Sequence, residues 1–205
     1  MEIAFLITAF ATLFVVIDPP GLVPLFIALT QGMTAERRRA MALRACLIAG
    51  VLLTLFGLAG ESILGFIGIS MPAFRIAGGI LLFLTALDML FERRTQRREG
   101  QKTDPDHDPS VFPLATPLIA GPGAIASMIL LVGQSGPGWT GTMAVLGLMW
   151  GMVIVTYLFL LASPPIERAL GRTGTIVITR LLGMLLAALA VQFVIDGVRG
   201  TGLIG

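Results

Sequence analysis

The tetrapeptide Asp18-Pro19-Pro20-Gly21 sets a carboxylate, two residues without an amide hydrogen and a glycine inside an apolar run, 3–29. A charge there is costly in lipid, and ionisable residues inside a span mark function by default. Proline removes a backbone donor and clashes with the carbonyl four residues back. The residue before it is pushed out of helical geometry. Pro-Pro-Gly therefore predicts the end of one half-helix and the start of another. Asp18 suits the second as its N-cap, with Pro19 at the first helical position. The positive end of the helix dipole then steadies the charge. Two readings follow: Asp18 only caps, or it caps and also faces a cavity, where it takes a substrate ammonium or a coupling proton.

A second interruption, Ala120-Gly121-Pro122-Gly123-Ala124, lies in the run 112–134. It has no side chain able to cap. The amides of Gly123, Ala124 and Ile125 would open a half-helix with no local acceptor, and such ends bind anions. One carboxylate and one set of bare amides complement a small zwitterion, such as a neutral amino acid. Its ammonium would sit at Asp18 and its carboxylate at 121–125. The candidate substrate-binding residues are thus Asp18, Pro19, Pro20, Gly21, Gly121, Pro122, Gly123 and Ala124. The competing account is a pair of proline kinks that only tighten packing.

The elements that must hold these residues are membrane helices. The chain is 56% hydrophobic and 13% charged, whereas soluble domains are about 25% charged. A crossing needs about 20 helical residues, and the alternation of a membrane barrel is absent. The fold class expected is all-α, a polytopic membrane protein with six spans at 3–29, 40–60, 71–91, 112–134, 139–162 and 174–198. Span 2 can run on as helix to Ile67, with Gly68 turning the chain and Ser70 capping span 3 ahead of Pro72. Before Asp18 the only charge is Glu2. A signal peptide wants a basic start, so the first run reads as a retained span.

Basic residues gather in alternate loops: Arg37, Arg38, Arg39 and Arg44; Arg93, Arg94, Arg97, Arg98 and Lys102; Arg168 and Arg172. Such loops face the cytoplasm, which puts both termini outside, in the periplasm of a two-membrane bacterium. The halves also match. The broken spans 1 and 4 correspond, and Phe74-Arg75-Ile76-Ala77-Gly78 in span 3 matches Thr179-Arg180-Leu181-Leu182-Gly183 in span 6. Three spans per half make the repeat inverted, with helices 1 and 4 broken near mid-membrane. Paired interrupted helices in such repeats point to a transporter's binding site. The single transmembrane domain 1–205 then divides into a first repeat 1–91, a cytoplasmic loop 92–111 and a second repeat 112–205.

Other residues have plainer readings beside sharper ones. Arg75 and Arg180 either snorkel to headgroups or gate a cavity mouth, with Glu61 as a partner for Arg75. Asp88 and Asp196 suit local charge pairing, with Arg93 and Arg94 near the first and Arg199 near the second, or else a proton relay. Gly147 and Gly151 permit close helix contact. Packing within the chain is the first expectation for them, and a homo-oligomer the second. Cys46 has no partner. His107 among Asp104, Asp106 and Asp108 reads as a solvated loop rather than a metal site, so no metal or cofactor is expected. No phosphate-binding G-x-x-x-x-G-K-[ST] occurs.

Taken together, Ile17-Asp18-Pro19-Pro20-Gly21 with Pro24-Leu25-Phe26, Pro117-Leu118-Ile119-Ala120-Gly121-Pro122-Gly123-Ala124, the two arginine motifs and Gln192-Phe193-Val194-Ile195-Asp196-Gly197 resemble the MarC family of bacterial inner-membrane proteins. The resemblance covers nearly the whole chain. It implies a six-span protein of the cytoplasmic membrane with both termini outside, grouped with transporters of small neutral amino acids. The expectation is a secondary transporter, with a small-molecule substrate and the lipid bilayer as partners and no nucleic acid. A passive channel is the alternative, although it would favour a continuous polar lining. An enzyme would need a nucleophile–base pair or metal cluster, which Cys46, His107 and a lone Asp18 do not supply.

Overall fold

The computed structural model describes residues 3–91, 108–136 and 138–202. Among these there are helices and no strands: α1 (Ile3–Ile17), α2 (Pro19–Leu29), α3 (Ala35–Ile67), α4 (Met71–Leu90), α5 (Ser110–Ile119), α6 (Pro122–Gln134), α7 (Trp139–Leu161) and α8 (Ser163–Gly200). Five stretches are long and apolar enough to cross a membrane. They become six if α5 and α6, bent by 52°, form one span. Large apolar side chains such as Ile7, Leu47, Leu55, Leu84, Ile154 and Leu185 point outward. An apolar exterior of that extent belongs in lipid rather than water.

Helix ends follow their local chemistry. Thr34 Oγ1 accepts from Arg37 N and starts α3. Gly68, at φ 82°, ends it in the left-handed conformation that glycine adopts without steric cost. Ser70 then caps α4 ahead of Pro72, accepting from Ala73 N. α3 starts earlier than span 2 was expected to, because Arg37, Arg38 and Arg39 continue the helix beyond its apolar stretch. At 33 residues it is about 50 Å long. Residues 163–170 were expected to form a loop. They are helical instead and join the sixth span through Gly171, at φ 60° and ψ 179°. Of the loop 92–111, residues 92–107 lie outside the described residues, and α5 already begins at Ser110.

One end of the bundle carries the basic residues. Arg38 lies 5.8 Å from the centre of the Phe26 ring and donates to Ser163 Oγ at 3.1 Å. Arg44 pairs with Asp108. These contacts bring the 1–2, 3–4 and 5–6 connections to the same end. At the other end a Cβ on Gly133 would meet Met71, and one on Gly197 would meet Pro72. Between the ends α4 and α8 pack antiparallel with almost no space. A Cβ on Gly79 would stand 2.7 Å from the Ala190 carbonyl oxygen, and one on Gly183 would stand 3.3 Å from that of Ala86. Small residues permit such approach in membranes, where packing rather than water exclusion holds helices together. Gly147 and Gly151 behave otherwise. Nothing lies within 4 Å of a Cβ at either, so the expected intrachain packing through them does not occur.

The Asp108 carboxylate, outside the spans, is lowered from its usual range. The Ser110 backbone N–H is the main cause, at 3.0 Å, followed by the Ser110 hydroxyl at 2.7 Å and by Arg44. A lowered carboxylate adds stability above its unfolded value, and loses it as pH falls through the folded one. Acidification below about pH 4 should therefore weaken this end of the bundle. The partners are 64% and 40% exposed, so Arg44→Ala should cost under about 1 kcal/mol. Thermal unfolding of both forms at pH 7 and pH 3 checks this: their midpoints should converge in acid.

Candidate functional site

The first interruption is a single residue. α1 closes at Ile17, Asp18 takes φ 54° and ψ 62°, and Pro19 opens α2. Among the described residues it is the one non-glycine with positive φ. Short polar side chains reach this conformation more readily than others, though at a cost. Two prolines deny helical donors to the carbonyls of Val15 and Val16. Asp18 Oδ1 takes the next amide, Gly21 N, at 3.1 Å. The cap expected from the sequence is therefore present, but in a left-handed rather than extended conformation. The carboxylate folds back over Gly21, where any Cβ would collide with it. Asp18 is 1% exposed, and Pro19 and Pro20 are buried too.

The second interruption is larger. α5 is irregular: Phe112 and Thr116 are extended, and the Phe112–Pro113 and Thr116–Pro117 bonds are cis. The amides of Leu114 and Ala120 donate five residues back, to Pro109 and Ala115. Gly121 then caps α6 without a side chain, and Pro122 is its first residue. Gly121, Gly123 and Ala124 are buried, while Pro122 is exposed. One expectation needs correction here. Ile125 N donates to Gly121 O at 3.0 Å, so it is taken by the helix, and only the amides of Gly123 and Ala124 lead into α6.

The two interruptions lie side by side. A Cβ at Gly123 would stand 3.4 Å from Val16 Cγ1, 3.2 Å from Leu82 Cδ2 and 3.5 Å from Thr85 Oγ1. The start of α6 thus rests on the end of α1, two residues from Asp18, with α4 as the third wall. Across this junction the structure sets Gly123 against Val16, two residues before Asp18; Pro19, Pro20 and Gly21 lead into α2, which packs on α7 and α8. Thr85, which donates to Leu81 O at 2.9 Å, borders this junction. Ser127 lies on the next turn of α6. The sequence reading named neither, since a lone hydroxyl in an apolar helix carries no pattern of its own.

The four charged residues singled out lie on α4 and α8. Arg75, half-buried, lies in the first turns of α4, and its Nε is buried without a hydrogen-bond partner among the described residues. Arg180 lies on α8 and Asp88 near the end of α4. Asp196 accepts from Gln192 Nε2 at 2.9 Å. The grouping of His107 with Asp104 and Asp106 lies outside the described residues. Among the described ones no cluster of three side chains could hold a metal ion.

The family model described as MarC family integral membrane protein matches residues 3–201. The chain belongs to the MarC family. A UPF0056 membrane protein of Archaeoglobus fulgidus is 40% identical over 95% of this chain and 92% of its own length. One from Bacillus subtilis, YvbG, is 37% identical over 98% and 97%. The Escherichia coli K12 protein YhgN, described as a UPF0056 inner membrane protein, is 36% identical over 95% and 96%. No solved structure matches. This MarC-family chain is thus an integral, multi-pass, all-helical membrane protein, and the relatives' names assign no substrate.

Proposed function

We propose that the chain is a secondary transporter that exports small neutral amino acids or related metabolites, and that the paired interruptions are its binding site. The observation that supports this is the approach of Gly123 to Val16, two residues before Asp18, where one helix starts near the break that opens another. Asp18 takes the substrate ammonium, and the amides of Gly123 and Ala124 take its carboxylate. Glycine at 21, 121 and 123 lets ligand atoms approach the backbone. Proline at 19, 20 and 122 keeps the helices interrupted.

In this reading the two halves are inverted repeats. The pattern of helix contacts supports it: α3 packs on α7 and α4 on α8, while α3 touches α5 and α6 much as α7 touches α1 and α2. The α2–α8 contact likewise has its counterpart in α4–α6, whereas α1–α8 and α6–α7 have none of comparable extent. The junction then falls near mid-membrane, where such transporters hold substrate. The basic end faces the cytoplasm, both termini face the periplasm, and the protein lies in the bacterial cytoplasmic membrane. Arg75, Arg180, Asp88 and Asp196 serve as gates or charge pairs near the span ends. An ion gradient or the substrate's own gradient supplies the energy, and the chain is not an enzyme.

Purified protein in liposomes should move labelled glycine, alanine or serine with saturable kinetics, and a proton gradient should change the rate if protons couple. Flux that never saturates would indicate a channel. No flux of any of the three would remove the amino-acid assignment.

A further inference from the structure

Among the described residues, buried hydroxyls find partners almost without exception. Thr12 donates to Thr8 O, Thr30 to Phe26 O, Thr156 to Met152 O and Thr175 to Gly171 O. Ser110 bonds Asp108, and Ser163 accepts from Arg38. Ser127 is the exception: it is 0% exposed and its Oγ has no partner among the described residues. A serine in a helix can turn its hydroxyl to the carbonyl four residues back, as the threonines here do. An unpaired buried hydroxyl costs on the order of 1–3 kcal/mol. Its orientation away from that carbonyl needs a cause.

Position supplies one. Ser127 follows Gly123 by one turn, so the two share a face of α6. Helical side chains lean toward the N-terminus, so Ser127 stands over the turn that carries the uncapped amides of Gly123 and Ala124. No side chain caps this 13-residue helix. Its N-terminus and an unpaired donor thus converge on one spot.

We infer that Ser127 Oγ and the amides of Gly123 and Ala124 form a three-donor site for a carboxylate. This rests on the transport reading above and deepens it by adding a substrate ligand. Helix amides alone favour any anion. A hydroxyl placed to one side adds direction, and suits a planar carboxylate that offers one oxygen to the amides and the other to Oγ.

The test uses the full chain in detergent micelles and in liposomes, with glycine, acetate and methylamine as probes. Without ligand, Ser127→Ala should unfold at the temperature of wild type or above it, because removing an unpaired buried hydroxyl breaks no bond and relieves its desolvation cost. Dissociation constants for glycine and acetate should rise about ten-fold or more, and that for methylamine, which meets only Asp18, should not move. In a Cys46→Ala background, Ser127→Cys provides a second readout. A small methanethiosulfonate should modify the introduced thiol, and saturating glycine or acetate should slow it. Unchanged glycine and acetate binding in Ser127→Ala overturns the site, as does a thiol whose reaction neither ligand alters or that never reacts. Wild type that binds neither acetate nor glycine overturns it as well. Acetate binding that depends on Ser127 without glycine transport supports the site and removes the transport reading. Normal glycine transport by Ser127→Ala does the reverse.

Discussion

Asp18→Asn should fold normally, insert normally and lose glycine transport by about ten- to a hundred-fold, the factor expected when a hydrogen bond to a charged group is lost. Asparagine is the informative replacement because it keeps everything but the charge. It caps a helix as well as aspartate does, so the bond from Gly21 N survives. It also tolerates the left-handed conformation at φ 54°. The residue stays buried over Gly21, and a neutral amide there is cheaper than a carboxylate. Yield and unfolding midpoint should therefore hold or rise while flux falls. Unchanged flux with glycine would reduce Asp18 to a cap.

The second large effect concerns stability. Gly79→Leu should destabilise the protein by about 1–3 kcal/mol, the usual cost of overpacking a filled interior. The obstacle is backbone: the Ala190 carbonyl and Val194 N stand 2.7 and 3.1 Å from a Cβ at this position, and neither can rotate aside. α4 and α8 must separate along their length. Gly147→Leu is the matched control, since it makes the same change in another helix where nothing lies within 4 Å. Both substitutions gain the same helix propensity, so that contribution cancels. Gly147→Leu should stay within about 0.5 kcal/mol of wild type. Thermal unfolding in micelles compares them, and equal midpoints would show that the α4–α8 seam does not hold the bundle.

Much of this arrangement was legible in the residues. Gly68, Ser70 and Pro72 mark a helix end and start through steric and capping rules that act over a few residues, and the turn follows them. Asp18 before Pro19 announced a cap by the same logic. What lay beyond was set by contacts distant in the chain. The left-handed turn at Asp18 depends on how α1 and α2 meet their neighbours, and the two extended residues of α5 depend on its packing against α3, which no local rule describes. Gly147 and Gly151 fit a packing motif, yet face outward, because a motif states what a helix can approach and not whether a neighbour is there. Ser127 was invisible for a related reason. Its interest lies in a missing partner, which only coordinates reveal.

The length of α3 has one further consequence. Its charged residues Arg44 and Glu61 bracket the uncharged stretch 45–60, which rises about 24 Å, slightly less than a hydrocarbon core of about 30 Å. Leaning would draw a guanidinium and a carboxylate inward among acyl tails, a penalty that grows with every degree. Arg44 is also tied to Asp108. α3 should therefore stand as a mast stepped upright in the bilayer, and in the transport cycle proposed above the rocking falls to the rigging around it.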